Sequence, residues 1–174
     1  MKKWMGAICS AVASILTFIF LAIPAFTVKM SAMGMSEKEN ASGYKILTDK
    51  DWGDIDFTAV TWYRIFAWIL IVLAVVLLVL AVLQILSNLN VVKMPNIVET
   101  INFYALIAFA VVAILALISL FGIRAEYFDR FGVTAKQAKE LGLTISIGAS
   151  LWIVSIVAVL SAVANAVLPK ALKK

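Results

Sequence analysis

The sequence predicts an all-α integral membrane protein: a four-helix bundle running up-down-up-down, with a long loop between helices 1 and 2. Three observations predict it. The chain of 174 residues is 64% hydrophobic and only 14% charged, against roughly half and a quarter in soluble domains. Four stretches, residues 4–28, 65–92, 100–123 and 141–168, contain no Asp, Glu, Lys or Arg. Each is at least 24 residues long, and about 20 helical residues cross a hydrocarbon core. A soluble fold of this length cannot hide so much apolar surface, so the excess calls for a nonaqueous solvent. A single domain with spans at about 4–28, 65–89, 100–123 and 141–168 follows, with outer loops at 29–64 and 124–140.

The first span opens on Lys2 and Lys3, as a signal peptide would. Its apolar run exceeds the roughly 7–15 residues of a signal core and no A-x-A site follows, so it reads as a retained helix. Pro24 near its far end is expected to bend or stop the last turn, because proline cannot donate the backbone bond. Cys9 is the one cysteine in the chain. It cannot form an intrachain disulfide, and free cysteine of this kind packs in a core. The second span is nearly all Leu, Val and Ile over residues 69–83. It shows no ladder of small residues and is expected to face lipid over most of its surface. Gln84 is its one polar residue at depth, with Asn165 of the fourth span as a candidate partner across the bundle. The seven-residue turn 93–99, with Pro95, makes spans two and three antiparallel neighbours. Before the fourth span, Thr134-Ala135-Lys136-Gln137 fits a capping box. A helix is expected to start near Ala135 and run on into the span.

In the first outer loop, residues 30–43 are rich in Ser, Gly, Met and Asn and read as flexible. Residues 44–48 and 55–60 read as two short strands around a turn at 49–53, a small β-hairpin. Trp62, Tyr63, Trp68, Tyr127 and Phe128 are placed for an interfacial aromatic belt, with Arg64 snorkelling beside them.

Helices associate in lipid through small residues and interhelical hydrogen bonds. Gly6, Ser10 and Ser14 recur every four residues in the first span, and Gly142, Ser146, Ser150, Ala158 and Ala162 lie on a four-residue ladder in the fourth that only Val154 interrupts. Spans one and four are therefore expected to carry the tight contacts, within one bundle or between copies.

The chain carries little chemistry. It has no histidine, no H-E-x-x-H, G-x-S-x-G or P-loop pattern, and no ionisable residue deep in a span to mark an ion path or proton relay. No catalytic residue, cofactor or enzyme activity is predicted. Asp49, Asp51, Asp54 and Asp56 are a weak Ca²⁺ candidate, because dense carboxylates suit that ion; a solvated acidic turn explains them better. The net charge of +5 is scattered over termini and loops, without the basic stripe of a nucleic-acid binder. Lys outnumbers Arg twelve to three, which points to a bacterial source. With both termini inside, six Lys or Arg residues lie inside and nine outside. The plain count opposes that orientation. The nine outer positives are matched by nine acids, whereas Lys2, Lys3, Lys170, Lys173 and Lys174 sit directly against the spans. The first helix usually dominates, and both termini are expected to be cytoplasmic.

Four spans with a larger first and a smaller second outer loop give a topology similar to claudin-like tetraspan proteins. That family's first loop carries Gly-Leu-Trp followed by a cysteine pair. This loop has Asp51-Trp52-Gly53-Asp54 and no cysteine, so the resemblance is one of topology and implies no paracellular barrier. The expected function is a noncatalytic plasma-membrane scaffold or accessory subunit. It would bind other membrane proteins, or itself, through the first outer loop and the small-residue helix faces. The alternative is a subunit of an oligomeric channel or transporter.

Overall fold

The structure, a computed structural model, describes residues 2–32, 35–48, 58–93, 95 and 97–171. In chain order the elements are α1 (Lys2–Leu21), β1 (Pro24–Ala32), β2 (Met35–Ser42), α2 (Gly43–Thr48), α3 (Thr58–Asn88), α4 (Ile97–Arg130), α5 (Ala135–Glu140), β3 (Leu143–Ile147) and α6 (Ala149–Ala171). Four of these helices, α1, α3, α4 and α6, are long and apolar enough to cross a membrane.

They pack as a ring in which α1 and α4 each touch both α3 and α6. The buried residues explain the packing. Along α3 they fall at Tyr63, Ala67, Leu70, Ala74, Leu77, Ala81 and Gln84. Along α4 they include Asn102, Leu106, Phe109, Ala113, Ala116, Leu120 and Ile123. Both series alternate steps of four and three, the 3.5-residue seam of knobs-into-holes bundles. Outward positions carry branched apolar residues, such as Val72, Val79, Val111 and Ile118, which suit contact with lipid tails.

Several expectations are corrected. The most extensive helix interface is α3–α4, and α1 and α6 also pack against each other. The second span does carry small residues on its seam: Ala67, Ala74 and Ala81 are almost fully buried and recur every seven residues. At the α3–α4 crossing the two backbones come so close that a Cβ on Gly122 would lie 2.9 Å from the Ala59 Cβ. Of the expected belt, Trp62 and Trp68 are exposed, but Tyr63 and Phe128 are buried.

The first span ends at Leu21, three residues before Pro24, and residues 24–28 belong to β1 instead. A proline is tolerated at the first residue of a strand, where no ladder donor is needed. The fourth span begins at Ala149. The capping box at Thr134 and Gln137 is present, but its helix stops at Glu140. Gly142 then turns the chain at φ +80°, and residues 143–147 form β3. Gly142 and Ser146 thus lie in a turn and a strand, not on a helix face. The expected hairpin is also misplaced. Residues 44–48 are helical, and 58–60 open α3. The hairpin is instead β1–β2, including the stretch read as flexible. The acidic turn, with Asp49, Asp51, Asp54 and Asp56, lies outside the described residues.

The second and third spans are longer than their charge-free cores, and charged residues extend them into the polar zone. Glu126 on α4 accepts from the Ala59 N–H at the start of α3, with both carboxylate oxygens in reach at 3.0 and 3.2 Å. A carboxylate at a helix N-terminus satisfies an orphan donor and opposes the macrodipole. Glu126→Ala is expected to destabilise the bundle by about 1 kcal/mol, read as a lower midpoint of thermal unfolding in detergent.

Candidate functional site

Two features stand apart from the apolar bundle. One is the three-stranded antiparallel sheet, ordered β2-β1-β3. The other is a polar layer inside the bundle at the opposite end of α1.

The sheet is assembled from distant segments. β1 pairs with β2 from Ala32↔Met35 back to Pro24↔Ser42, and on its other side with β3 from Phe26↔Ile147 to Met30↔Leu143. Alternation puts Phe26, Ala41 and Ile145 into the core, while Thr27, Lys29, Thr144 and Ser146 point away. Two glycines let β3 close on β1. A Cβ on Gly142 would lie 1.9 Å from the Ser31 carbonyl oxygen, and one on Gly148 would lie 2.0 Å from that of Pro24. The Ser31 N–H donates to the Gly142 carbonyl and the Gly148 N–H to the Ala25 carbonyl, both at 2.8 Å.

Helix α2 ties the other side of the sheet to the bundle. Tyr63 Oη donates to the Gly43 carbonyl at 3.3 Å, and Arg64 Nε donates to the Ile46 carbonyl at 3.0 Å. Gly43 is pressed against Leu21 and Tyr63, with both within about 3 Å of where a Cβ would be. Ile46 and Leu47 are buried beneath. Burial also pushes the Tyr44 hydroxyl above its ordinary pKa, so it remains a neutral phenol at physiological pH.

This mount presents β2 as an edge strand. Ser36, Glu37, Lys38, Glu39 and Asn40 are all exposed. Lys29 lies opposite Lys38, flanked by Glu37 and Glu39 in register, so like charges meet inside a mixed-sign surface. Glu39 also pairs with Lys45 at 3.2 Å, and Thr27 Oγ1 donates to Asn40 Oδ1 at 2.9 Å. An edge strand has unpaired backbone groups. Charges of this kind keep it from joining indiscriminately with other edges.

The polar layer brings together residues that the sequence separates widely. Ser10 Oγ donates to Asn102 Oδ1 at 2.6 Å, and Asn102 Nδ2 donates to the Gly6 carbonyl at 3.3 Å. Gln84 and Asn165 both approach the same Gly6, with no direct hydrogen bond between them among the described residues. Asn102 was missed. It sits in a charge-free run, and only the burial seam of α4 shows that it points inward. Further along, Ser14 Oγ donates to the Ala74 carbonyl at 2.6 Å, and Ser155 Oγ to that of Ala113 at 3.1 Å. Both bonds cross between helices. Ser150 and Ala158 are also buried, and Ala162 partly so. Beyond the layer the interior closes around Leu70, Leu77, Leu106, Phe109 and Leu120.

Among the described residues, no group of three His, Cys, Asp or Glu side chains could hold a metal ion. Cys9 is a buried free thiol. No family model, curated protein or solved structure matches this chain.

Proposed function

We propose that this chain is a noncatalytic multi-pass scaffold or accessory subunit of the plasma membrane. On this reading its helices run up-down-up-down with both termini cytoplasmic, and it binds another membrane protein through its first outer loop. The observation that carries the reading is the edge strand β2, exposed and polar from Ser36 to Asn40, yet fixed to the bundle through β1, β3 and α2. A rigid, charged edge on a membrane anchor suits recognition of a partner better than chemistry on a substrate. Ser10 and Ser14 of the small-residue face of α1, and Ser150 and Ala158 on α6, are buried within the bundle. That leaves the sheet, rather than the helix faces, as the surface for a partner.

The polar layer favours a second reading, a subunit of an oligomeric channel or transporter. Since Leu70, Leu77, Leu106 and Phe109 fill the interior, a path for solute would run between copies.

Two measurements, one on the purified chain and one in cells, separate these readings. In liposomes, the scaffold reading expects no ion or solute flux above protein-free vesicles, and flux from this chain alone would overturn it. In cells, a photo-crosslinker at Lys38 is expected to trap one partner at fixed stoichiometry, while the same group at lipid-facing Val111 does not. Equal trapping at both positions would count against a sheet-borne interface.

A further inference from the structure

One layer of the bundle is polar, and all four long helices contribute to it. Gly6 and Ser10 come from α1, Gln84 from α3, Asn102 from α4 and Asn165 from α6. A Cβ built on Gly6 would lie 3.0 Å from Gln84 Oε1, 3.2 Å from Asn102 Nδ2 and 3.4 Å from Asn165 Oδ1. Three carboxamides therefore converge beside Gly6, at distances that a side chain on residue 6 would crowd.

The hydrogen bonding within the layer is incomplete in a specific way. Asn102 is fixed on both sides, by Ser10 at its oxygen and by the Gly6 carbonyl at its nitrogen. Its Nδ2 carries two hydrogens, so one remains. Gln84 is only 7% exposed, and neither its carboxamide nor that of Asn165 bonds a described residue; both keep some accessible surface, since Ser150 Oγ is the fully buried side-chain polar atom without a partner among the described residues. A carboxamide so nearly enclosed needs a partner that can reach it, and lipid tails cannot supply the bond. The group that would complete the layer must donate to two carboxamide oxygens and accept from one N–H. Water has that valence in the smallest volume, and buried waters typically make about three such bonds.

We propose that this layer is a water-binding site, with an ordered water held over Gly6 by Gln84, Asn102 and Asn165. Asn165 is partly exposed, so the site opens past α6. The water links three helices that share no direct side-chain bond at this level, and Asn102 passes the link on to α1. A single polar layer of this kind on a bundle seam fixes the register of the helices. The inference stands on the bundle interior alone and is independent of the scaffold reading.

The test uses the full chain in detergent micelles, with labelled Asn and Gln side chains. NMR would look for magnetisation transfer from a long-lived water to the carboxamide protons of Gln84 and Asn102. Transfer to both is expected. Gly6→Ala should abolish it while the Ser10–Asn102 bond persists, because the new methyl fills the site. The competing arrangement turns one carboxamide over, so that Gln84 bonds Asn165 directly. Contacts between those two amide groups, or no water transfer to Gln84 in the unaltered chain, would overturn the proposal. Gln84→Leu gives an independent check: loss of the water signal on Asn102 supports the shared site, and an unchanged signal overturns it.

Discussion

Gly148→Ala is expected to detach β3 from β1 while leaving the four long helices folded. The glycine ends β3 at the point where its backbone meets β1. Its N–H donates to the Ala25 carbonyl at 2.8 Å, and an added methyl would sit 2.0 Å from the Pro24 carbonyl oxygen. Both obstacles are backbone atoms, so no side-chain rotation relieves the clash and the strand must move. Displacement would break the β1–β3 ladder from the Phe26↔Ile147 end and open the buried contacts of Phe26 and Ile145. Backbone strain of this type is on the order of 3 kcal/mol, roughly a hundredfold in the opening equilibrium. Hydrogen exchange in detergent should show that loss of protection across β1 and β3, with helical circular dichroism unchanged. Protection equal to that of the unaltered chain would show that β3 does not need this close approach.

Tyr63→Ala is expected to be the most destabilising single truncation. Tyr63 is among the largest fully buried side chains, and it lies at the junction of α3, α2 and the end of α1. Truncation leaves a cavity against Leu21 and Gly43 and removes the bond to the Gly43 carbonyl. Aromatic-to-alanine changes in well-packed cores cost about 3–5 kcal/mol. Tyr63→Phe keeps the volume and loses the hydrogen bond, a change of about 1 kcal/mol. The two variants therefore separate packing from polarity. Unfolding midpoints should fall far more for alanine than for phenylalanine, and α2 should lose protection first. Equal effects would mean that the hydroxyl, not the ring, holds α2 in place.

Both predictions concern the sheet and its mount, the part least legible in the sequence. The spans were legible because length and charge-free composition are local properties that any window of the chain displays. Gln84 and Asn165 were legible as polar residues at depth because they stand out in apolar runs. The alanine seam of α3 was hidden. Ala67, Ala74 and Ala81 recur at seven rather than four residues, and Leu, Val and Ile fill the positions between. An aliphatic residue that packs against a helix and one that faces lipid have the same hydropathy.

Capping at Thr134 was visible because a capping box is local, but the length of the helix it starts was not. After Glu140, the alternation in Leu143-Thr144-Ile145-Ser146-Ile147 competes with an apolar helical run. The choice falls to the strand because β1 offers a partner, and the position of β1 depends on α1 and α6 packing side by side.

The sequence by itself determined four apolar segments long enough to cross a membrane, since length and charge-free composition are read from the chain alone. Only the tertiary structure decided where the first and last spans stop, which glycines permit contact between backbones, and which polar groups meet over Gly6. Strand pairing and interhelical contacts depend on segments far apart in the chain, and their energies exist only once those segments are brought together.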